Sequence, residues 1–179
     1  MPDPAMPPSG MPDPASYNPA GHNPNRHNPA GHHSGGCHCG NIAVSLRLSV
    51  AAGDAPLRAC ACGFCRAHAT RTIADRNGLV ELRAADWPLV ERYQFGSRTA
   101  EYIVCRRCGV YVAAVCHTAS GLRAVVNVNC LSDRATFTQP PAAPDYDGET
   151  TEARLDRRAA NWMPAIVHDG AAGGYAQDD

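Results

Sequence analysis

The sequence predicts a mainly β fold, either an all-β sandwich or sheets folded over one another, with an unstructured tail before it and one helix after it. Three observations lead there. Residues 42–50 alternate: Ile42, Val44, Leu46, Leu48 and Val50 are apolar, and Ala43, Ser45, Arg47 and Ser49 lie between them. That period of two is the pattern of a half-buried strand. Further short apolar segments follow, separated by residues that favour turns. Closely spaced cysteines adjoin several of these segments, where hairpin tips are expected.

The elements come in this order. Residues 1–34 form a low-complexity tail. Met-Pro-Asp-Pro-Ala occurs at 1–5 and again at 11–15, and a five-residue rhythm then runs through Asn18-Pro19-Ala20-Gly21-His22 to Asn28-Pro29-Ala30-Gly31-His32. Proline removes backbone donors and little here can enter a core, so disorder is expected. His22, His27, His32 and His33 read as incidental histidines of a solvated linker. After the strand at 42–50, the turn Gly53–Pro56 leads to strand candidates Leu57–Cys60, Thr70–Ala74, Leu79–Leu82, Val90–Phe95, Glu101–Val104, Val110–Val115 and Leu122–Val128. Asn77-Gly78, Trp87-Pro88, Gly96-Ser97 and Ser120-Gly121 supply turn chemistry between them. Pro140, Pro141 and Pro144 are expected to end the sheet core. The folded domain is thus placed at 35–140, with an extension at 141–179. Glu149 to Trp162 has helix-forming composition, with Leu155 and Ala159 four apart, and Pro164 is expected to stop the helix.

Composition narrows the function classes. The chain has 179 residues, of which 6% are aromatic. One domain of that size buries a modest core, which metal cross-links would supplement. The formal net charge of −1 gives no basic face for nucleic acid. All 16 basic residues are arginine, which excludes lysine Schiff-base chemistry and a P-loop lysine. The start, Met1-Pro2-Asp3-Pro4-Ala5, lacks the charged and apolar regions of a secretory signal. No stretch approaches the ~18 apolar residues of a membrane helix. A cytoplasmic protein with no membrane partner is expected. In a reducing compartment, clustered cysteines indicate metal or redox chemistry, and the odd count of 9 argues the same way.

The cysteines carry the chemistry. Seven of the nine fall into three clusters: Cys37-His38-Cys39-Gly40, Cys60-Ala61-Cys62-Gly63-Phe64-Cys65 and Cys105-Arg106-Arg107-Cys108-Gly109. Zinc favours four tetrahedral ligands, thiolate among the best. Two cysteines one or two residues apart can reach one metal from a tight turn. Seven sulfurs divide as four plus three, a closed structural site and a site with one open position, which is how catalytic zinc is held. Gly40 and Gly109 follow their pairs and can turn backbone N–H groups toward the sulfurs. No βα pattern surrounds Cys62–Cys65 to support a thioredoxin-like dithiol. Spacing alone leaves open which clusters share a metal, since Cys62/Cys65 with Cys105/Cys108 would also make a zinc ribbon.

The order Gly36-Cys37-His38-Cys39-Gly40, then Cys60-Ala61-Cys62-Gly63-Phe64-Cys65-Arg66, then Cys105-Arg106-Arg107-Cys108-Gly109 resembles the glutathione-dependent formaldehyde-activating enzyme family, the CENP-V/GFA domain. Residues 35–133 carry the likeness, including Tyr93-Gln94-Phe95-Gly96-Ser97 and Leu131-Ser132-Asp133. The resemblance implies an Mss4-like fold of folded-over antiparallel sheets with two zinc ions per chain. It implies that Cys37, Cys39, Cys105 and Cys108 hold structural zinc, and that Cys60, Cys62 and Cys65 hold a second, catalytic zinc. It also implies a carbon–sulfur lyase that condenses formaldehyde with glutathione to S-hydroxymethylglutathione, so the expected partners are a small thiol and a small aldehyde. Two departures stand out. Ala61 occupies a position where relatives often carry His, and the run Arg66-Ala67-His68-Ala69-Thr70 lacks a glycine that they often have.

Other residues are weighed beside these. His68, three residues past Cys65, is a candidate fourth ligand or base. His38 is expected to face solvent. Cys116 and Cys130 read as buried free thiols, and pleat alternation points His117 away from Cys116. Arg66, Arg106 and Arg107 would offset thiolate charge or attract a carboxylate-bearing thiol. The alternative to an enzyme is a zinc-stabilised protein-interaction module, in which the metals only staple the sheets.

Overall fold

A computed structural model describes residues 31–168; most of the expected tail, with His22 and His27, and the last residues lie outside them. The elements are β1 (His32–Gly36), β2 (Ile42–Arg47), β3 (Leu57–Arg58), α1 (Gly63–Ala67), β4 (Thr72–Ile73), β5 (Leu79–Ala84), β6 (Val90–Tyr93), β7 (Glu101–Cys105), β8 (Tyr111–Thr118), β9 (Gly121–Asn127), α2 (Thr151–Asn161) and β10 (Met163–His168). The fold is mainly β, as the alternation and the turn spacing predict.

The strands hydrogen-bond in the path β1-β2-β5-β10-β9-β8-β7-β6, with the short β3–β4 pair attached to β9 through β4. Every strand pair is antiparallel except β10 with β5, so the sheet is mixed. β10 joins two halves of the path. Its first residues, Met163 and Pro164, pair with Ala124 and Arg123 of β9, and Ala165–His168 pair with Val80–Arg83 of β5. Proline has no N–H to give, and it sits at the strand start, where that loss is tolerated.

The inward faces of the two halves build one core. β2 buries Ile42, Val44 and Leu46, β5 buries Val80 and Leu82, and these join Val112, Val115, Ala124, Val126 and Met163. β2 shows the expected alternation of buried and exposed residues. β8 does not: Tyr111 to Cys116 are all buried. Its second face lies under α2, where Ala114 and Cys116 pack with Trp162 and Leu155. α2 begins where its sequence says it should. Thr150 caps it, the side chain accepting from Ala153 N at 3.2 Å.

Two expected boundaries are corrected. The strand β1 starts at His32, inside the stretch assigned to the tail, and His33 is buried with its Nδ1 2.7 Å from Asp133 Oδ2. A polar, glycine-rich strand gives no apolar alternation to read. Pro140–Pro144 do not end the sheet either, because β10 returns to its middle; Pro164 ends the helix but opens a strand.

β1 lies close against the loop after β9. Gly35 bridges Leu131, and a Cβ at Gly35 would overlap the Cys130 carbonyl and come within 2.6 Å of Leu131 Cα. Backbone cannot yield as a flexible side chain does. Gly35→Ala is therefore expected to cost about 1–3 kcal/mol in urea denaturation. An unchanged midpoint would show that β1 can move away from this loop.

Candidate metal centres and the cavity beside one of them

Two groups of thiols come together among the described residues: Cys37 with Cys39, Cys105 and Cys108, and Cys60 with Cys62 and Cys65. Within each group the sulfurs all lie within 4.8 Å of one another. The alternative grouping, Cys62/Cys65 with Cys105/Cys108, is not what the fold assembles.

The four-sulfur group is built by two tight turns. One joins β1 to β2, the other β7 to β8. Gly40 and Gly109 adopt φ 77° and 73°, the left-handed region that glycine enters freely. Gly40 N donates to Cys37 O at 3.0 Å and Gly109 N to Cys105 O at 2.8 Å. The backbone beyond each turn then points at sulfur. Ile42 N donates to Cys37 Sγ at 3.1 Å, and Asn41 and Val110 serve Cys39 and Cys108. Cys39 Sγ is 3.7 Å from Cys37 Sγ and 3.4 Å from Cys105 Sγ. Four sulfurs at ~2.3 Å from a tetrahedral metal stand about 3.8 Å apart, so the residues fit such an ion. All four ligand positions are filled by sulfur; Cys37 and Cys105 are buried, and Cys39 and Cys108 are half-buried. Burial pushes the Cys37 thiol up to about 12 and raises Cys39. Burial also opposes ionisation of Cys108, but hydrogen bonds, led by those from Val110 and the Cys39 backbone, bring it down to about 7. A bound cation is the ordinary way to hold so many thiolates together.

The three-sulfur group surrounds the start of α1. Cys60 lies just past β3, Cys62 caps the helix by accepting from Cys65 N at 3.4 Å, and Cys65 sits buried in the first turn. Two of these thiols, Cys60 and Cys65, compete for a proton. Hydrogen bonding from Cys65 lowers Cys60 to about 5, and the same contact raises Cys65 well above its ordinary value. These three sulfurs border a cavity of about 580 Å³. Phe95, Tyr102 and Trp162 supply apolar wall, and Arg58, Arg154, Arg157 and Arg158 supply positive charge. Burial pushes the Tyr102 phenol up to about 12, so it stays a hydrogen-bond donor at neutral pH.

No protein-family model and no curated protein matches the chain. Among solved structures it is similar to a Rhodobacter sphaeroides protein determined as a Northeast Structural Genomics target. The two are 30% identical, the match covers 60% of this chain and 97% of that one, and the TM-score is 0.46. The description of that structure states no activity.

The remaining candidates fall away from the cavity. His68 closes α1 and lies tilted against Phe64, ring centroids 4.5 Å apart, and it is not among the residues lining the cavity. His38 is exposed, and His117 is exposed while Cys116 is buried, as the pleat predicts. Arg66 and Arg107 are exposed, and Arg106 pairs with Glu91 at 2.7 Å. None of the three lines the cavity. The arginines that do line it were overlooked. A signal for them existed: Arg154, Arg157 and Arg158 are spaced three and four apart, so they share a face of α2. No helix of the described residues is long and apolar enough to cross a membrane.

Two outcomes follow. Cys105→Ser is expected to leave the domain unfolded at ambient temperature, because it opens the closed site. Cys62→Ser, which keeps a capping oxygen, should shift the thermal midpoint by less than about 4 °C. Equal losses, read by circular dichroism, would contradict the division. The second concerns Glu149, held at about 2 by Arg157 and Arg154 against an ordinary 4.5. Its folded value is depressed, so its contribution is full above about 4.5 and is lost as pH falls toward 2. The stability gap between the parent and Glu149→Gln in urea should therefore be widest above that range and shrink below it. A gap independent of pH would contradict the pairing.

Proposed function

We propose that the chain is a zinc-dependent carbon–sulfur lyase, joining a small aldehyde to a thiol in the manner of the glutathione-dependent formaldehyde-activating enzymes its cysteine pattern resembles. The observation that carries this reading is the difference between the two thiol groups. One is complete at four sulfurs and closed. The other offers three and borders a cavity of about 580 Å³.

Cys37, Cys39, Cys105 and Cys108 would hold the structural zinc, and Cys60, Cys62 and Cys65 the second. Zinc held by three thiolates supplies a mild Lewis acid that keeps a substrate thiol deprotonated at neutral pH. The chain's own residues do the rest. The apolar surfaces of Phe95, Tyr102 and Trp162, of which Trp162 is buried, flank the reacting carbon. The substrate sulfur attacks the aldehyde carbon, a carbon–sulfur bond forms, and the carbonyl π electrons move to oxygen. The thiol gives its proton to water, and that oxygen takes one back from water to become the hydroxyl of the hemithioacetal, so no proton is gained or lost overall. The Tyr102 hydroxyl, protonated at neutral pH and bordering the same cavity, supports it by donating a hydrogen bond. Because such adducts form readily in water, the work required is mainly positioning and thiol activation.

The test is exchange NMR on a glutathione–formaldehyde mixture. Zinc-loaded protein should accelerate exchange between free thiol and adduct, and Cys62→Ala should lose at least about 10²-fold of that acceleration while keeping its fold. A parent protein that leaves the exchange rate unchanged would overturn the reading and favour a metal-stapled interaction module.

A further inference from the structure

Four arginines border the cavity, and they are not equivalent. Arg154 and Arg157 share the Glu149 carboxylate, at 3.2 Å and 2.6 Å. The Arg157 guanidinium also lies over the Tyr146 ring, 3.8 Å from its centroid. Arg58 is half-buried and makes no ion pair among the described residues.

Arg158 is different in kind. It is only 7% exposed, yet among the described residues no carboxylate touches it. Its Nη1 donates to Thr99 Oγ1 at 2.7 Å and approaches Cys116 Sγ at 3.6 Å. Its guanidinium lies 4.9 Å from the Trp162 ring centroid. None of these partners is a carboxylate. Its Nε–H is buried with no acceptor among the described residues. A guanidinium keeps its charge at any ordinary pH. Burying one without a counter-ion is unfavourable, and a cation–π contact offsets only part of that. The aspartates that border the cavity, Asp145 and Asp147, are exposed, and Asp145 accepts from Asp147 N at 2.9 Å. The cavity wall thus carries a buried positive charge that no carboxylate of the described residues answers, in the same cavity as Cys60, Cys62 and Cys65.

We propose that Arg158 binds a carboxylate of the substrate, which makes the substrate class a thiol carrying a carboxylate on the same small molecule. This rests on reading the three-sulfur group as the thiol site. The planar fork of a guanidinium suits a carboxylate, and a carboxylate supplies the opposite charge that Arg158 lacks among the described residues. Binding at Arg158 while sulfur reaches the cysteine triplet fixes the molecule at two points. A neutral thiol is held at one.

The experiment is calorimetric titration of the full zinc-loaded chain with S-methylglutathione, whose thiol is blocked and whose carboxylates are free, and with its dimethyl ester. The acid is expected to bind at least tenfold more tightly than the ester. Arg158→Gln should abolish that preference and Arg158→Lys should keep part of it. If Arg158→Gln does not fold, the acid–ester comparison in the parent chain is joined to Trp162 fluorescence in a Trp87→Phe background, where the acid alone should change the emission. Equal affinity for acid and ester, an acid preference that survives in Arg158→Gln, or a silent Trp162 would overturn the proposal. Its failure is separable from failure of the lyase reading. A chain that accelerates adduct exchange but ignores the ester block refutes only the role of Arg158. A chain that binds the acid through Arg158 but accelerates nothing refutes only the lyase.

Discussion

The tie between Cys37/Cys39 and Cys105/Cys108 is the constraint on which the rest of the structure depends. The first pair lies in the turn between β1 and β2, at one end of the strand path. The second lies in the turn after β7, next to the other end. Bringing Cys39 Sγ to 3.4 Å from Cys105 Sγ, across 66 residues of sequence, requires the sheet to fold back on itself. Without a link, closing so long a loop is opposed by chain entropy, and the small core must supply all of the compensation. A metal joining the two turns adds its own binding free energy to folding. β10 completes the closure from inside, pairing with β9 at its start and β5 at its end.

Once the sheet is folded over, the second thiol group acquires its setting. β4 attaches to β9, and α2 lies across β8 and β9. The cavity opens between the cysteines at the start of α1 and the arginine-bearing face of α2. The two thiol groups therefore stand in different surroundings, one where two hairpin turns meet and one beside a cavity. The closed tetrad can be optimised for burial. The triplet keeps contact with a cavity because a helix from the far end of the chain forms the opposite wall.

Local features were legible in the sequence and long-range ones were not. The β2 alternation, the turn glycines at 40 and 109 and the three cysteine clusters all express their structure within a few residues. The grouping of the clusters is a property of the sheet path, so spacing left it open and the family resemblance supplied the arrangement the fold assembles. β10 escaped because Pro164 and Ala165 interrupt its apolar residues and because it returns to the sheet after a helix. β1 escaped because His-His-Ser-Gly-Gly reads as linker; its strand character comes from pairing with β2 and from the close approach at Gly35. Arg158 was hidden for another reason. Arginine is among the residues least often buried, so a face of three arginines reads as solvated until Trp162, Thr99 and Cys116 are seen around one of them. His68 was the reverse: adjacency to Cys65 in sequence suggested a role, and the turn of α1 carries its ring onto Phe64 instead.

The most direct test of two thiol groups with separate duties is stepwise metal removal followed by native mass spectrometry and circular dichroism on one sample. The account requires two zinc ions per chain. A mild chelator should take the first with the β spectrum unchanged, and the second should leave only as the sheet unfolds. A chain that carries a single ion, or that gives up both together with its sheet intact, would contradict it.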